Sequence, residues 1–187
     1  MATPAGPRSG EWAIRPGEAD DLDGLVALER AVFGADSYPR AKLSALIRGE
    51  RNTLVLVVTR EARVLACGIA QVAPLARIVP GPLARLATHA IDLHGTVRVG
   101  YLKSLAVERD VRRRGLGTAV TRARLEWLRS RRVRHVFAFA WPPGHFLALA
   151  EKLGFAALSE WPEKTFSDGS AATLCHLLLD GADSPHP

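Results

Sequence analysis

Apolar positions recur along the chain with two different periods, and their alternation lays out a layered fold. EWAIRP, at 11 to 16, reads as a short strand ended by Pro16. In ADDLDGLVALERAVF, Leu22, Leu25, Val26, Leu28, Val32 and Phe33 share one side of a helix, with Glu29 the exception there. Asp20 or Asp21 stands where its N-cap belongs. RAKLSALIR, at 40 to 48, predicts a second helix that Gly49 stops. NTLVLVVTR, at 52 to 60, and RVLACGIAQVAP, at 63 to 74, predict two strands joined through the two-residue turn Glu61–Ala62. RVGYLKSLAVE, at 98 to 108, predicts another strand.

The following RRGLGTAVTRARLEWLRSRR predicts a helix with Leu116, Val120, Ala123 and Trp127 inside and an Arg122–Glu126 pair outside. VRHVFAFAW, at 133 to 141, reads as a buried strand, HFLALAEKLGF as a helix closed by Gly154, and ATLCHLLLD as the last strand. The order is β-α-α-β-β-insert-β-α-β-α-β, an α/β or α+β layer protein with a mixed sheet. The insert, 75 to 96, has two prolines and partial helical spacing, and its length predicts a lid or a structural insert. Residues 1 to 10 and 181 to 187 are rich in Pro, Gly, Ser or Ala and predict disordered ends around a domain at 11 to 180.

Composition narrows the class. A chain of 187 residues suits one domain, and 48% apolar with 24% charged residues is ordinary for a soluble protein. No apolar run approaches the ~20 residues of a membrane helix. The start, MATPAGPRSGEW, lacks a signal-peptide pattern. A cytoplasmic location without membrane attachment is expected. Cys67 and Cys175 form no C-x-x-C pair, so neither zinc nor a redox motif is expected, and Cys67 reads as a buried small hydrophobe. His89, Asp92 and His94 have poor spacing for zinc, and no metal is expected.

The net charge of +6 suggests an anionic partner, but 21 of the 25 basic residues are Arg, a bias that genome composition also produces. Ten arginines lie between Arg109 and Arg134, which raises the alternative of a basic nucleic-acid-binding module. The aromatic stacking platform of RNA binders is not visible, and the arginines flank a turn with another use. That turn, RRRGLGTA at 112 to 119, lies between a strand and a helix. Glycines there let the backbone turn tightly and approach a ligand. The first N–H groups of the helix have no partner within it, and together with the helix dipole they favour a bound anion. An adjacent arginine can add a bidentate phosphate contact.

SLAVERDVRRRGLGTAV resembles the strand, pyrophosphate loop and helix of the GNAT superfamily of N-acetyltransferases. Arg112, Gly115 and Gly117 meet the family's [QR]-x-x-G-x-[GA], Leu105 to Val107 match its preceding L-A-V, and AEKLGF, at 150 to 155, resembles its closing helix and turn. The resemblance covers about residues 12 to 179 and implies a mostly antiparallel mixed sheet flanked by helices on both faces. It also implies acetyl-CoA as cosubstrate. The pyrophosphate would take the backbone N–H groups of Arg113, Arg114, Gly115, Leu116, Gly117 and Thr118, with Arg112 leading in. Leu105, Ala106 and Val107 would offer their backbone to the pantetheine arm. The acceptor implied is a primary amine: a small amine, an amino acid or a protein N-terminus. A homodimer through the last strands stays open.

The resemblance breaks where many members carry an acid, an Asn and a base. Ala150 stands at the usual Tyr position, Pro143 at the Asn position and Ala138 at the Glu position. A member that binds acetyl-CoA without catalysis is therefore a further alternative. Positioning alone can supply roughly 7–11 kcal/mol of such a barrier, against ~3–5 kcal/mol for a general base. An α-amine, with a pKa near ~7.7–8.0, is about a tenth unprotonated at pH 7, whereas lysine, near ~10.4, is below about a thousandth. A site with a weak base should favour α-amines. Substitute proton-transfer candidates are His145, Tyr101 and Glu108. In SEWPEKTFSDGSA, at 159 to 171, Trp161 and Phe166 could wall the acceptor pocket, and Glu163 could meet its amine.

Overall fold

A computed structural model describes residues 12–49, 52–79, 97–141 and 144–179. The expected ends and most of the 75 to 96 insert, including His89, Asp92 and His94, lie outside them, as does Pro143. The strands are β1 (Ala13–Pro16), β2 (Thr53–Arg60), β3 (Arg63–Pro74), β4 (Arg98–Val107), β5 (His135–Ala140), β6 (Ala156–Thr165) and β7 (Ala171–Leu178). The helices are α1 (Leu22–Phe33), α2 (Arg40–Ile47), the single turn α3 (Leu75–Ile78), α4 (Leu116–Ser130) and α5 (Phe146–Lys152). The described strands form one sheet in the order β1-β2-β3-β4-β5-β7-β6. Every neighbouring pair is antiparallel except β4 and β5.

Side-chain alternation divides the sheet between two helical layers. Cys67, Ile69 and Ala106 face Leu25, Leu28 and Leu43 of α1 and α2. Leu65 and Ala66 pack with Leu116 and Val120 of α4. Further along the α4 face, Leu102, Val136 and Ala138 meet Leu125, Leu128 and Ala150. Gly68 lets α4 lie close, since a Cβ there would come within 2.5 Å of Val120. Cys67 and Cys175 are free and buried in clusters on opposite faces.

Several local expectations are corrected. Asp21 is the N-cap residue of α1, one of the two expected positions, but its side chain makes no cap bond there; a 3₁₀ turn over Ala19–Asp21, itself capped by Glu18, precedes the helix. Asp21 serves that cap from the other side: it accepts the Glu18 N–H at 2.8 Å. The two Arg15 nitrogens also reach it, at 2.7 and 2.8 Å. The inner stripe of α4 is Leu116, Val120, Thr121, Arg124, Leu125 and Leu128, so Ala123 and Trp127 sit at its margin. Arg122 and Glu126 form no ion pair among the described residues, both being exposed to solvent that screens them. An extra strand, β6, pairs with β7 at the sheet edge. Pro162 obscured it in the sequence, and an edge is where a strand tolerates proline.

His135 and His176 stack at 5.4 Å, with Nδ1 of the first 3.1 Å from Nε2 of the second. One ring donates and the other accepts, so protonating both would set two cations in contact. Burial first, then the His135 charge, lowers the His176 imidazole to about 4. The folded value is below the unfolded one, so this contribution is complete above about pH 6.5 and declines as the pH falls toward 4. The urea midpoint should fall over that interval and fall less in His176→Leu; equal slopes would show that this pair does not set the acid sensitivity.

Candidate acyl-transfer groove

The chemistry-bearing feature begins where two strands part. β4 and β5 share three rungs, Gly100–Val136, Tyr101–Phe137 and Leu102–Ala138, and no further pairing. On its other edge β4 stays in register with β3 to Val107. The reason is a bulge. Ile69 pairs with Ser104 and Ala70 with Leu102, leaving Lys103 as the extra residue. Beyond it, the β5-side edge of β4 opens over Ser104 to Val107, the stretch whose Leu105, Ala106 and Val107 were expected to meet a ligand arm.

Two buried charged side chains hold that bulge from opposite faces. From α4, the guanidinium of Arg124 donates to Ser104 O at 2.7 Å, Ile69 O at 3.2 Å and Thr121 Oγ1 at 2.9 Å. Arg124 is fully buried, and burial lowers its pKa to about 10. From α1, the carboxylate of Glu29 accepts the Ser104 hydroxyl, the Cys67 thiol at 3.8 Å and the Tyr38 N–H at 3.5 Å. Burial raises the Glu29 carboxyl. Neither residue figured among the sequence candidates. The one signal available was Glu29 on the apolar side of α1.

The open edge leads to the arginine–glycine turn. A 3₁₀ turn over Arg109–Val111 follows β4, and Arg112 Nε donates to Val107 O at 3.0 Å, so Arg112 braces the turn to the strand end. Arg113 has φ 61° and Gly115 φ 86°, and α4 starts with Gly115 as an N-cap that supplies no side-chain acceptor. Its first bond returns from Ala119 N–H to Gly115 O. The N–H groups of Leu116, Gly117 and Thr118 have no acceptor among the described residues. Arg113 and Arg114 are exposed beside them.

The two glycines differ. Gly115 is required by its backbone angle, with open space where a Cβ would stand. A Cβ on Gly117 would lie 3.6 Å from Leu149, 3.7 Å from Leu105 and 3.8 Å from Val107, which is ordinary contact. Among the described residues nothing demands glycine at 117. That position faces the groove between β4 and α5, where a close-approaching ligand would need it bare.

On the α1 face, the groove's inner end carries Tyr101, Phe139, Lys103 and Lys164. Tyr101 is edge-on to Phe139 at 6.0 Å, and its hydroxyl meets Lys164 Nζ at 3.0 Å. Burial pushes the Tyr101 phenol well up. Asp36, between α1 and α2, accepts the Ser167 N–H with both oxygens at 3.1 Å and its hydroxyl at 2.6 Å, so that connection and the β6–β7 turn are clasped together. Phe166 packs on Trp141 at 5.8 Å, and Trp141 Nε1 donates to Asp168 and Ser170.

The remaining expected residues divide. Glu108 is ion-paired to Arg63, and its N–H binds Leu65 O at 2.9 Å, so it fastens the strand end. His145 is exposed and heads α5, near the groove's outer side. Ala138 and Ala150 are buried in the core on the α4 face. No three metal-ligating side chains cluster among the described residues. A concavity of about 360 Å³ between α4 and the end of β7 is lined largely by leucines with Arg122, Glu126 and Arg129, and lies apart from this groove.

No match to a curated protein sequence was found. Among solved structures, the ribosomal-protein-S18-alanine N-acetyltransferase of Escherichia coli superposes with TM-score 0.70 at 20% identity, over 95% of this chain and 99% of that one. NAA60 of Arabidopsis thaliana, solved with a bisubstrate analogue, gives TM-score 0.75 at 16% identity over 92% and 100%. A mosquito arylalkylamine N-acetyltransferase like 5b gives 0.65 at 15% over 90% and 100%. At these identities the likeness is one of fold. The sequence model of the Acetyltransferase (GNAT) family matches residues 25–155, from α1 through the opened strand and the arginine–glycine turn to the end of α5. That match spans most of the chain, and the protein belongs to the GNAT acetyltransferase family.

Proposed function

We propose that the protein transfers the acetyl group of acetyl-CoA directly to a primary amine. The observation that carries this is the parting of β4 from β5 after Leu102 and Ala138, because it exposes one strand edge that runs straight to an uncapped helix N-terminus. A thioester arm needs such an edge for its amide groups, and a diphosphate needs such an N-terminus. In this reading the backbone of Leu105, Ala106 and Val107 binds the arm. The N–H groups of Arg113 to Thr118 bind the pyrophosphate, with Arg113 and Arg114 adding charge. The acceptor enters from the α1 face, between the Asp36–Ser167 clasp and Tyr101. Solved relatives that bear the names alanine N-acetyltransferase and arylalkylamine N-acetyltransferase support an amine as acceptor.

An α-amine is the acceptor class this site suits. Ala138 and Ala150 leave the usual base and acid positions without a titrating group, and at pH 7 an α-amine is unprotonated a few hundred times (~10²–10³) more often than a lysine side chain. Release of CoA thiol should be followed with peptides that carry a free α-amine, N-blocked peptides that carry lysine, and small amines. The α-amine peptides should give kcat/KM about 10²-fold higher than the lysine peptides. Acetylation confined to lysine would sink the α-amine assignment, and binding without turnover on any amine would make the protein an acetyl-CoA binder.

A further inference from the structure

Lys164, on β6, holds its cation inside the acceptor face. Its Nζ is 3.0 Å from the Tyr101 hydroxyl, 4.1 Å from the centre of the Phe139 ring and 5.7 Å from that of Tyr101. It forms no ion pair with a carboxylate of the described residues. Facing it are Tyr101 and Lys103 from β4 and Phe139 from β5. Tyr38 adds to the rise of the Tyr101 phenol, and the buried Glu29 acts in the same direction on Tyr38.

Tyr101 occupies the second-last rung before the strands part, so its hydroxyl is beside the place where a thioester entering the opened edge would end. Burial makes its phenolate costly, and the phenol can carry a proton only if a second group takes its own. The partner at 3.0 Å is an amine. A half-buried ammonium that meets no carboxylate among the described residues favours losing its proton. Burial, then the charge of Lys103, lowers Lys164 to about 8. Once neutral, Lys164 Nζ accepts from the Tyr101 hydroxyl.

We propose that Lys164 is the proton acceptor of the acetyl transfer, acting on the reacting amine through the hydroxyl of Tyr101. This rests on the acetyltransferase reading above. The amine nitrogen forms its bond to the acetyl carbon and gives a proton to Tyr101 Oη, while the phenol proton moves to Nζ. The carbon–sulfur bond then breaks with its electron pair on sulfur. The ammonium of Lys164 returns a proton along the same path to the thiolate. The products are an amide and a free thiol, Lys164 is neutral again, and no oxidant or reductant enters.

A Lys164 that only packed on the two aromatic rings would be replaceable by arginine, which keeps the charge and the stacking but holds its proton throughout the working pH range. The test is the pH profile of kcat/KM, calculated on the unprotonated amine so that the acceptor's own pKa of ~7.7–8.0 drops out, for wild type, Lys164→Arg and Lys164→Met, beside calorimetry with acetyl-CoA. Wild type should show a rising limb centred near 8. Both variants should lose that limb and about 10²–10⁴ of kcat/KM at pH 8, with acetyl-CoA affinity unchanged. Trace labelling with acetic anhydride, read on the Lys164 peptide, should titrate well below the exposed lysines.

Turnover within about threefold of wild type in Lys164→Arg, a limb that persists in both variants, or labelling near ~10.4 would overturn the proposal. Absence of turnover in wild type would overturn the acetyltransferase reading and this proposal with it. Turnover with an unmoved limb overturns this proposal alone.

Discussion

Replacing Arg124 by leucine is expected to cost about 2–5 kcal/mol of stability. The guanidinium is the hydrogen-bond donor that α4 lends to the carbonyls of Ile69 and Ser104 at the β4 bulge. Leucine can pack on the sheet but leaves both buried acceptors without that donor, at about 1–3 kcal/mol each. Part of the loss is offset, since a fully buried cation with a lowered pKa is itself costly to keep charged. For a chain of this size the thermal midpoint should drop by roughly 2–4 °C for each kcal/mol. Arg124→Lys should recover only part, because one ammonium cannot reach both carbonyls and Thr121 with the same geometry. A leucine variant that melts within about 2 °C of wild type would show that the bulge holds itself.

The two glycines of the turn should separate folding from binding. Gly115→Ala forces a side chain onto φ 86° and should cost roughly 1–2 kcal/mol. Gly117→Ala adds a Cβ in ordinary contact within the first turn of α4 and should be neutral or stabilising, by up to ~1 kcal/mol. Its effect on acetyl-CoA should have the opposite sign, since the added methyl stands in the groove beside Leu105 and Leu149. Gly117→Trp fills that space, and should remain folded by circular dichroism while acetyl-CoA affinity falls at least about 10²-fold. If tryptophan at 117 left affinity intact, the diphosphate arm would have to run elsewhere.

The elements legible in the sequence are those whose cause is local. The Glu61–Ala62 hairpin turn, with φ of 51° and 63°, was marked by its two-residue length between apolar runs. The closing helix was marked by Gly154, whose φ of 86° ends α5 while Phe155 N–H reaches back to Ala150 O. The arginine–glycine turn was legible for the same reason: its geometry is set by backbone, and glycine records it.

The central features of the site were not legible, because each arises between elements distant in sequence. Nothing in YLKSLAV marks Lys103 as the bulged residue; that follows from the offset against β3. Arg124 drew no notice in the sequence and Glu29 stood only as an exception on an apolar side, yet the bulge and the Ser104 hydroxyl give them partners inside. The stripe of α4 was misplaced for that reason, since its buried side passes through an arginine. Lys164 sits on the strand whose proline hid it, and it gains meaning only from Tyr101, 63 residues earlier. Of the expected proton-transfer residues, Glu108 went to Arg63 because the strand end and the β2–β3 hairpin meet there.

Calorimetric titration of the wild-type chain with acetyl-CoA tests the central claim most directly. The groove and the α4 N-terminus predict one site per chain, with a dissociation constant in the range of about 1 μM to 1 mM typical of enzyme substrates, and competition by free CoA. Absence of binding heat through millimolar acetyl-CoA, from a chain shown to be folded, would contradict the account and leave the groove without its ligand.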